Sequence, residues 1–312
     1  MSANRFPPPL KPGGTIGILS PARWPEPEWL EQSKAAFEAK GYKVVIHPQN
    51  FLKEGQMAGS DADRAGALND MFADKNIDAI LCSRGGCNAI RILDKLDYKL
   101  IKKNPKPFIG YSDISLLQNA ITKKCGFVTY HGPLGWNFGH DPDPRVLTDM
   151  LALLISKTKH FTCNYDVDGV RPGSAQGVLV GGNITRLELL MSTDYDWSGD
   201  KAILFIEDVD EVLYKLDEKL QHLRLAGRFD KVRAVIVGEM IDVADGENGF
   251  AKPGQKPYGR TFRQIVESVV PADVPLCFDF PCGHGRYITT LPIGAETEIT
   301  ITPRSAQLIF KL

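Results

Sequence analysis

The sequence predicts an α/β fold class, with an N-terminal parallel-sheet domain followed by a mixed, β-rich C-terminal domain. Three observations predict it. Short apolar runs alternate with helical patterns through the first half, the signature of strand–helix–strand units and a parallel sheet. That regularity lapses near residue 156 and gives way to more varied, strand-rich segments. The 312 residues also suit about two domains of ordinary size. The expected division is 1–155, a linker over 156–177, and 178–312.

TIGILS, residues 15–20, follows a Pro-Gly-Gly entry and reads as a buried strand, with a helix over 27–40 and a second strand over 42–47. Residues 60–74 read as a helix: Ser60 can cap with Asp63 three residues on, and Ala65, Leu68 and Phe72 share one face. A third strand is expected at 79–82, then Gly85-Gly86 and a helix carrying Ile90, Ile92 and Leu93. Residues 107–109 make a fourth strand and 115–122 its helix. The stretch SKTKHFTCNYDVDGVRPGSAQG shows no sustained period and reads as the linker. Beyond it, strands are expected at 178–180, 202–206 and 234–237. A helix is expected over 211–226, with Val212, Leu216, Leu220 and Leu223 inward and Gly227 as its stop. Residues 296–312 alternate in the strand manner.

Hydrophobic content of 43% and charged content of 24% are those of a globular protein. Lys plus Arg (37) and Asp plus Glu (38) nearly cancel, which argues against a nucleic-acid partner bound through bulk charge. MSANRFPPPLKPGG lacks a signal-peptide core, and no stretch approaches the ~18 apolar residues that span a bilayer, so a cytoplasmic protein without a membrane partner is expected. The six cysteines are scattered in the manner of reduced thiols.

Four motifs could carry chemistry. In PFIGYSDISLL a short strand ends at Gly110 and Ser112 stands at the turn into a helix, where α/β sites collect. The pattern approaches a nucleophile elbow, but Ile114 occupies the last glycine position of G-x-S-x-G. Taken alone, such a serine more often caps its helix. In SRGGCN the paired glycines can bring a backbone N–H to an oxyanion, or simply make a tight turn. No G-x-G-x-x-G follows the first strand, so a dinucleotide cofactor is not expected. In AILFIEDVDE, Glu207 ends an apolar strand, where an acid can serve a site, cap a helix or face solvent. In FPCGHGRYITTLP, His284 sits between two glycines in a loop, a poor place for a core histidine. His131 in TYHGPLG is its rival as a base; His47, His140, His160 and His222 lack comparable contexts. Cys277, Cys282 and His284 have no clear fourth ligand for zinc, and no metal is expected. The order Ser, Glu, His is one known serial order of an acyl-transfer triad. With Ser112 in the first domain and the other two in the second, such a site would lie in an interdomain cleft.

Taken together the motifs resemble the LD-carboxypeptidase family, the S66-type serine peptidases. The resemblance covers KPGGTIGILSPA, DADRAGALNDMF, SRGG, IGYSDIS, HGP, LVGGNITRL, ILFIEDVDE, VGEM and GHGRYITTLPIGA, in order and nearly end to end. It implies a swivelling β/β/α-type C-terminal domain, Ser112 as nucleophile, Glu207 and His284 as its partners, and an oxyanion hole from the backbone N–H groups of Gly86 and Asp113. Cys87 departs from the tyrosine that often follows the paired glycines. The resemblance also implies release of a terminal D-amino acid from a small peptide such as murein tetrapeptide, and a homodimer. Arg84 is a candidate for the substrate carboxylate, or for an ion pair with a nearby acid. Two other readings compete. Relatives of the microcin C immunity type cleave aminoacyl-nucleotides and need an aromatic platform, for which Trp136 and Trp197 are candidates; a non-enzymatic two-domain binding module needs no nucleophile at all.

Overall fold

The computed structural model describes residues 4–140, 143–197, 199–245 and 256–312. Along the first half run β1 (Thr15–Leu19), α1 (Pro27–Glu38), β2 (Lys43–Ile46), α2 (Asp61–Ala73), β3 (Ala79–Cys82), α3 (Tyr98–Lys103), β4 (Phe108–Gly110), α4 (Ser115–Cys125), β5 (Thr129–His131) and α5 (Arg145–Leu154). Then come β6 (His160–Asp166), β7 (Asp168–Arg171), β8 (Gly173–Asn183), α6 (Ile184–Leu189), β9 (Ala202–Val209), α7 (Leu213–Leu225), β10 (Ala234–Ile241) and α8 (Phe262–Val269). The chain ends with β11 (Leu276–Phe280), β12 (Leu291–Ile293), β13 (Glu296–Ile301) and β14 (Ser305–Lys311).

The chain forms two compact units. One comprises Asn4–Phe161 with Arg286–Ala295. Its six-stranded sheet has the order β12-β5-β4-β3-β1-β2, parallel except for β12 on β5. β1, β3 and β4 are largely apolar and almost wholly buried, as strands covered by helices on both faces must be, and β5 (Thr-Tyr-His) is buried as well. The expected capping box forms at α2, where Ser60 and Asp63 exchange hydrogen bonds of 2.9 and 3.1 Å, and Ala65, Leu68 and Phe72 are buried. The segment with Ile92 and Leu93 is a 3₁₀ helix, Ala89–Lys95, entered through a left-handed Asn88. Leucine and isoleucine spacing alone does not separate it from an α-helix.

The other unit, Thr162–Gly285 with Glu296–Lys311, holds an eight-stranded sheet of order β6-β14-β13-β8-β9-β10-β11-β7. β8 to β11 are parallel, whereas β13 and β14 on one flank and β7 on the other run antiparallel to their neighbours. α7 lies where the leucine spacing places it, with Leu216, Leu220 and Leu223 fully buried and Gly227 left-handed at φ 73°. These leucines join Leu204, Ile206, Val235 and Ile265 in one apolar core.

Residues 156–177, expected to form a linker, are largely strand: β6, β7 and the first part of β8. HFTCNYD does alternate, with Phe161, Cys163 and Tyr165 half-buried between exposed neighbours, and the Tyr165 ring packs 4.9 Å from Phe280. One face of this flank is solvated, which dilutes its apolar signal. The second departure from simple succession is β12, which returns residues 286–295 to the first sheet. Among the described residues no helix is long and apolar enough to cross a membrane.

Candidate active site

Ser112 stands two residues beyond the end of β4. Tyr111 is extended, and Ser112 then turns into the left-handed region at φ 64° before a 3₁₀ turn, Ser112–Ile114, leads into α4. For a residue with a Cβ that conformation costs about 1–2 kcal/mol, strain of the kind concentrated at functional sites. Neither the 3₁₀ turn nor α4 starts with a side-chain cap, so capping does not account for the serine. Gly110 leaves room for the fully buried Ile114, since a Cβ there would come within 2.9 Å of the Ile114 Cγ2. A bulky residue at the last elbow position is thus accommodated by the glycine at the first.

The Gly85-Gly86 loop packs against this turn. A Cβ at Gly85 would lie 3.2 Å from the Ser112 Oγ, so any side chain there would crowd the hydroxyl. Gly86 takes φ 121° and packs against the Arg23 side chain. The loop is held from below and behind by polar groups. Ser83 N–H donates to the Leu19 carbonyl at 2.8 Å, and its buried hydroxyl meets that of Ser20, which in turn donates to Asn50 at 2.6 Å. The fully buried Asp113 carboxylate accepts the Ala89 N–H at 2.8 Å, tying the segment after Gly86 to the serine turn. Both proposed oxyanion donors, Gly86 and Asp113, thereby belong to one braced assembly.

Arg64 also belongs to that assembly and was not singled out by sequence. It is 1% exposed and donates to the carbonyls of Pro21 (3.0 Å) and Asn88 (3.2 Å) and to Asp61 at 2.5 Å. Within DADRAG an arginine reads as part of a solvated helix face; only the tertiary structure turns it inward. Arg84 donates to the Trp24 carbonyl at 3.1 Å and lies 5.2 Å over the Trp29 ring. Burial and the charge of Arg23 pull its pKa down from the ordinary arginine value.

In the other unit the structure brings Glu207 and His284 together. Glu207 is fully buried near the carboxyl end of β9, and its Oε2 lies 2.8 Å from the His284 Nδ1. A carboxylate on Nδ1 fixes the tautomer that leaves Nε2 available to accept a proton. Burial alone would lower the pKa of His284, but the charge and hydrogen bond of Glu207 outweigh it and raise the value above 6.5. Gly283, at φ 120°, allows the approach: a Cβ there would sit 3.2 Å from the same Glu207 oxygen. Next to Glu207, the Asp208 carboxylate accepts from Asn183 (2.7 Å), from the Thr185 N–H (3.0 Å) and hydroxyl (2.8 Å), and from the Val209 N–H (2.9 Å). These bonds join LVGGNITRL to ILFIEDVDE. Burial and the neighbouring Glu207 raise the Asp208 pKa.

His131 is fully buried in β5, with its ring 6.0 Å from that of Tyr111. Trp197 is buried in the apolar core of its unit and donates to the Leu187 carbonyl, which removes it as a nucleobase platform. Trp136 is partly accessible and packs against His140 and Trp29, with centroids 4.1 and 5.8 Å away. Cys277 and Cys282 are buried, which pushes the Cys277 thiol up to about 12, and among the described residues no three His, Cys, Asp or Glu are grouped to hold a metal.

Residues 16–132 match the model of the LD-carboxypeptidase N-terminal domain, and residues 176–299 match that of the C-terminal domain. A probable murein peptide carboxypeptidase of Bacillus subtilis (strain 168) is 31% identical over 310 residues, covering 98% of this chain and 94% of the relative. The microcin C7 self-immunity protein MccF of Escherichia coli is 27% identical over 328 residues, covering 93% and 92%. A solved structure of MccF in complex with glutamyl sulfamoyl guanosine superposes with a TM-score of 0.85 at 24% identity, covering 98% of both chains, a likeness of fold. The matches run through both units and contain the strained serine, the glycine loop and the Glu–His pair. The chain belongs to the LD-carboxypeptidase family and is a hydrolase of the serine carboxypeptidase type.

Proposed function

We infer that the protein hydrolyses the L,D-peptide bond of murein tetrapeptide in the cytoplasm, releasing the terminal D-alanine through an acyl-enzyme on Ser112. The Glu207–His284 hydrogen bond carries this reading, because a wholly buried carboxylate aligned on the Nδ1 of a loop histidine is the arrangement a general base requires. In the proposed reaction His284 Nε2 takes the Ser112 proton as the Oγ attacks the scissile carbonyl. The N–H groups of Gly86 and Asp113 stabilise the tetrahedral oxyanion, and the imidazolium returns its proton to the leaving amine. Water then repeats the sequence on the acyl-enzyme. Glu207 holds the ring and stabilises its charged form, while the Arg84 guanidinium is assigned to the substrate's terminal carboxylate. A homodimer belongs to the same reading.

The base must be neutral to act, and its pKa is raised, so activity is expected to climb through a pH above 6.5. Glu207→Gln removes the charge that raises it. Its residual activity should therefore titrate at lower pH, with kcat reduced by about 10⁴-fold as the tautomer is lost. The pH profiles of kcat/KM for both forms check the sign; an acid limb that stays in place would contradict it.

The similarity to MccF supports a second substrate, an aminoacyl-nucleotide, for which the partly accessible Trp136 is the remaining aromatic platform. Parallel turnover of murein tetrapeptide and an aminoacyl-sulfamoyl adenylate separates the two. The tetrapeptide is expected to give the higher kcat/KM, and preference for the nucleotide would replace the first substrate with the second.

A further inference from the structure

AVIVGE on β10 repeats the pattern of AILFIE on β9, an apolar buried run that stops on a glutamate. The strands are parallel neighbours, paired Val237↔Ile206 and Met240↔Asp208, so Glu207 alone on β9 stands opposite Gly238 and Glu239 together on β10. Such a two-against-one bulge re-aims a side chain, and bulges of this kind gather beside active sites.

Glu239 makes two contacts with the histidine loop. Its backbone N–H donates to the Cys282 carbonyl at 2.9 Å. Its carboxylate accepts the N–H of Gly285, packed so closely that a Cβ at Gly285 would overlap both carboxylate oxygens. The two contacts fall on the first and last residues of Cys282-Gly283-His284-Gly285. Glu207 therefore holds the ring of His284, while Glu239 holds the backbone on either side of it. Gly283 and Gly285 each face one of these two acids, which accounts for glycine on both sides of the histidine.

We propose that Glu239 is a positioning residue for the hydrolytic reaction, a clamp that fixes the loop from which His284 reaches out. The proposal rests on His284 being the base. The groups facing Glu239 are Glu207, His284, Asp279 and the Cys282 thiol. Burial raises the Glu239 carboxyl above the ordinary glutamate value, with Glu207 adding repulsion. What the clamp needs from the side chain is an acceptor oxygen rather than a charge, and a glutamine amide supplies one.

The test compares Glu239→Ala, Glu239→Gln and Gly285→Ala. Displacing a catalytic group by about 1 Å costs roughly 100-fold, so Glu239→Ala is expected to lower kcat by about 10- to 100-fold with KM little changed. Glu239→Gln should recover most of that loss. Gly285→Ala, which drives a methyl into the Glu239 carboxylate, should behave like Glu239→Ala and covers the case in which the alanine variant fails to fold. Ring signals of His284 in protein labelled at histidine nitrogen give a readout without substrate: one sharp set in the wild type and Glu239→Gln, and broadened or multiple signals in Glu239→Ala. Wild-type kcat and ring signals in Glu239→Ala or Gly285→Ala would overturn the clamp, as would a glutamine variant no better than alanine. Because the ring signals do not depend on Ser112, an active Ser112→Ala protein would sink the serine mechanism while leaving this result to stand or fall separately.

Discussion

Ser112→Ala is expected to lower kcat by roughly 10⁴- to 10⁶-fold, the range seen when an acyl-transfer nucleophile is removed from an otherwise intact site. Substrate binding should persist, because the loop around Gly85 and Gly86 is braced by Ser20, Ser83, Asn50, Arg64 and Asp113, none of which depends on the Ser112 hydroxyl. The same position separates catalysis from stability. Alanine retains the left-handed strain, whereas Ser112→Gly relieves about 1–2 kcal/mol of it at a cost of about 0.5–1 kcal/mol in unfolded-chain entropy. Both variants should be inactive, with the glycine form melting at or slightly above the alanine form. Turnover assays and thermal melts on the pair check both halves; full activity in either variant would remove Ser112 from the mechanism.

His284→Ala and His131→Ala are expected to fail in different ways. Losing the base should cost about 10⁴-fold or more in kcat even where the protein is fully folded, and it also lowers stability because the buried Glu207 carboxylate loses its partner. His131 is completely buried in β5, paired in register with Gly110 on one side and Leu291 on the other. Its removal should cost on the order of 2–4 kcal/mol through a cavity and lost packing, with turnover retained below the lowered melting point. If His131→Ala were folded and inactive while His284→Ala turned over, the base would have to be reassigned.

The two histidines show what a sequence can and cannot resolve. One ends a strand, the other lies just beyond one, and both neighbour glycine, but only the structure places the first in the sheet interior and the second on a carboxylate. The parallel half of the fold was legible because β1, β3 and β4 are buried on both faces and therefore read as unbroken apolar runs. β6, β7 and the start of β8 were not, because every second residue of β6 is exposed and the small, polar GSAQG gives little to read. β12 is only LPI, too short to announce a partner as distant along the chain as β5. At the site, residue type and strand-end position made Ser112 and Glu207 eligible. The φ of Ser112 has no local sequence signal, since the residue types around it also suit an ordinary cap. Glu239 did have a signal, the glutamate ending AVIVGE, which is visible only when the two parallel strands are compared.

The late return of β12 also bears on the order in which the protein can be built. Synthesis delivers β1 to β5 first, but the strand that pairs with the far side of β5 is encoded only at Leu291–Ile293, after β11. The second sheet waits in the same way, because β8 gains its partner β13 only at Glu296–Ile301. Until β12 and β13 leave the ribosome, β5 and β8 each lack a partner on one side and resemble the edges that recruit foreign strands. The stretch from β12 to β14 therefore completes both sheets, and a nascent chain stalled just before it would expose β5 and β8 to wrong pairing at once.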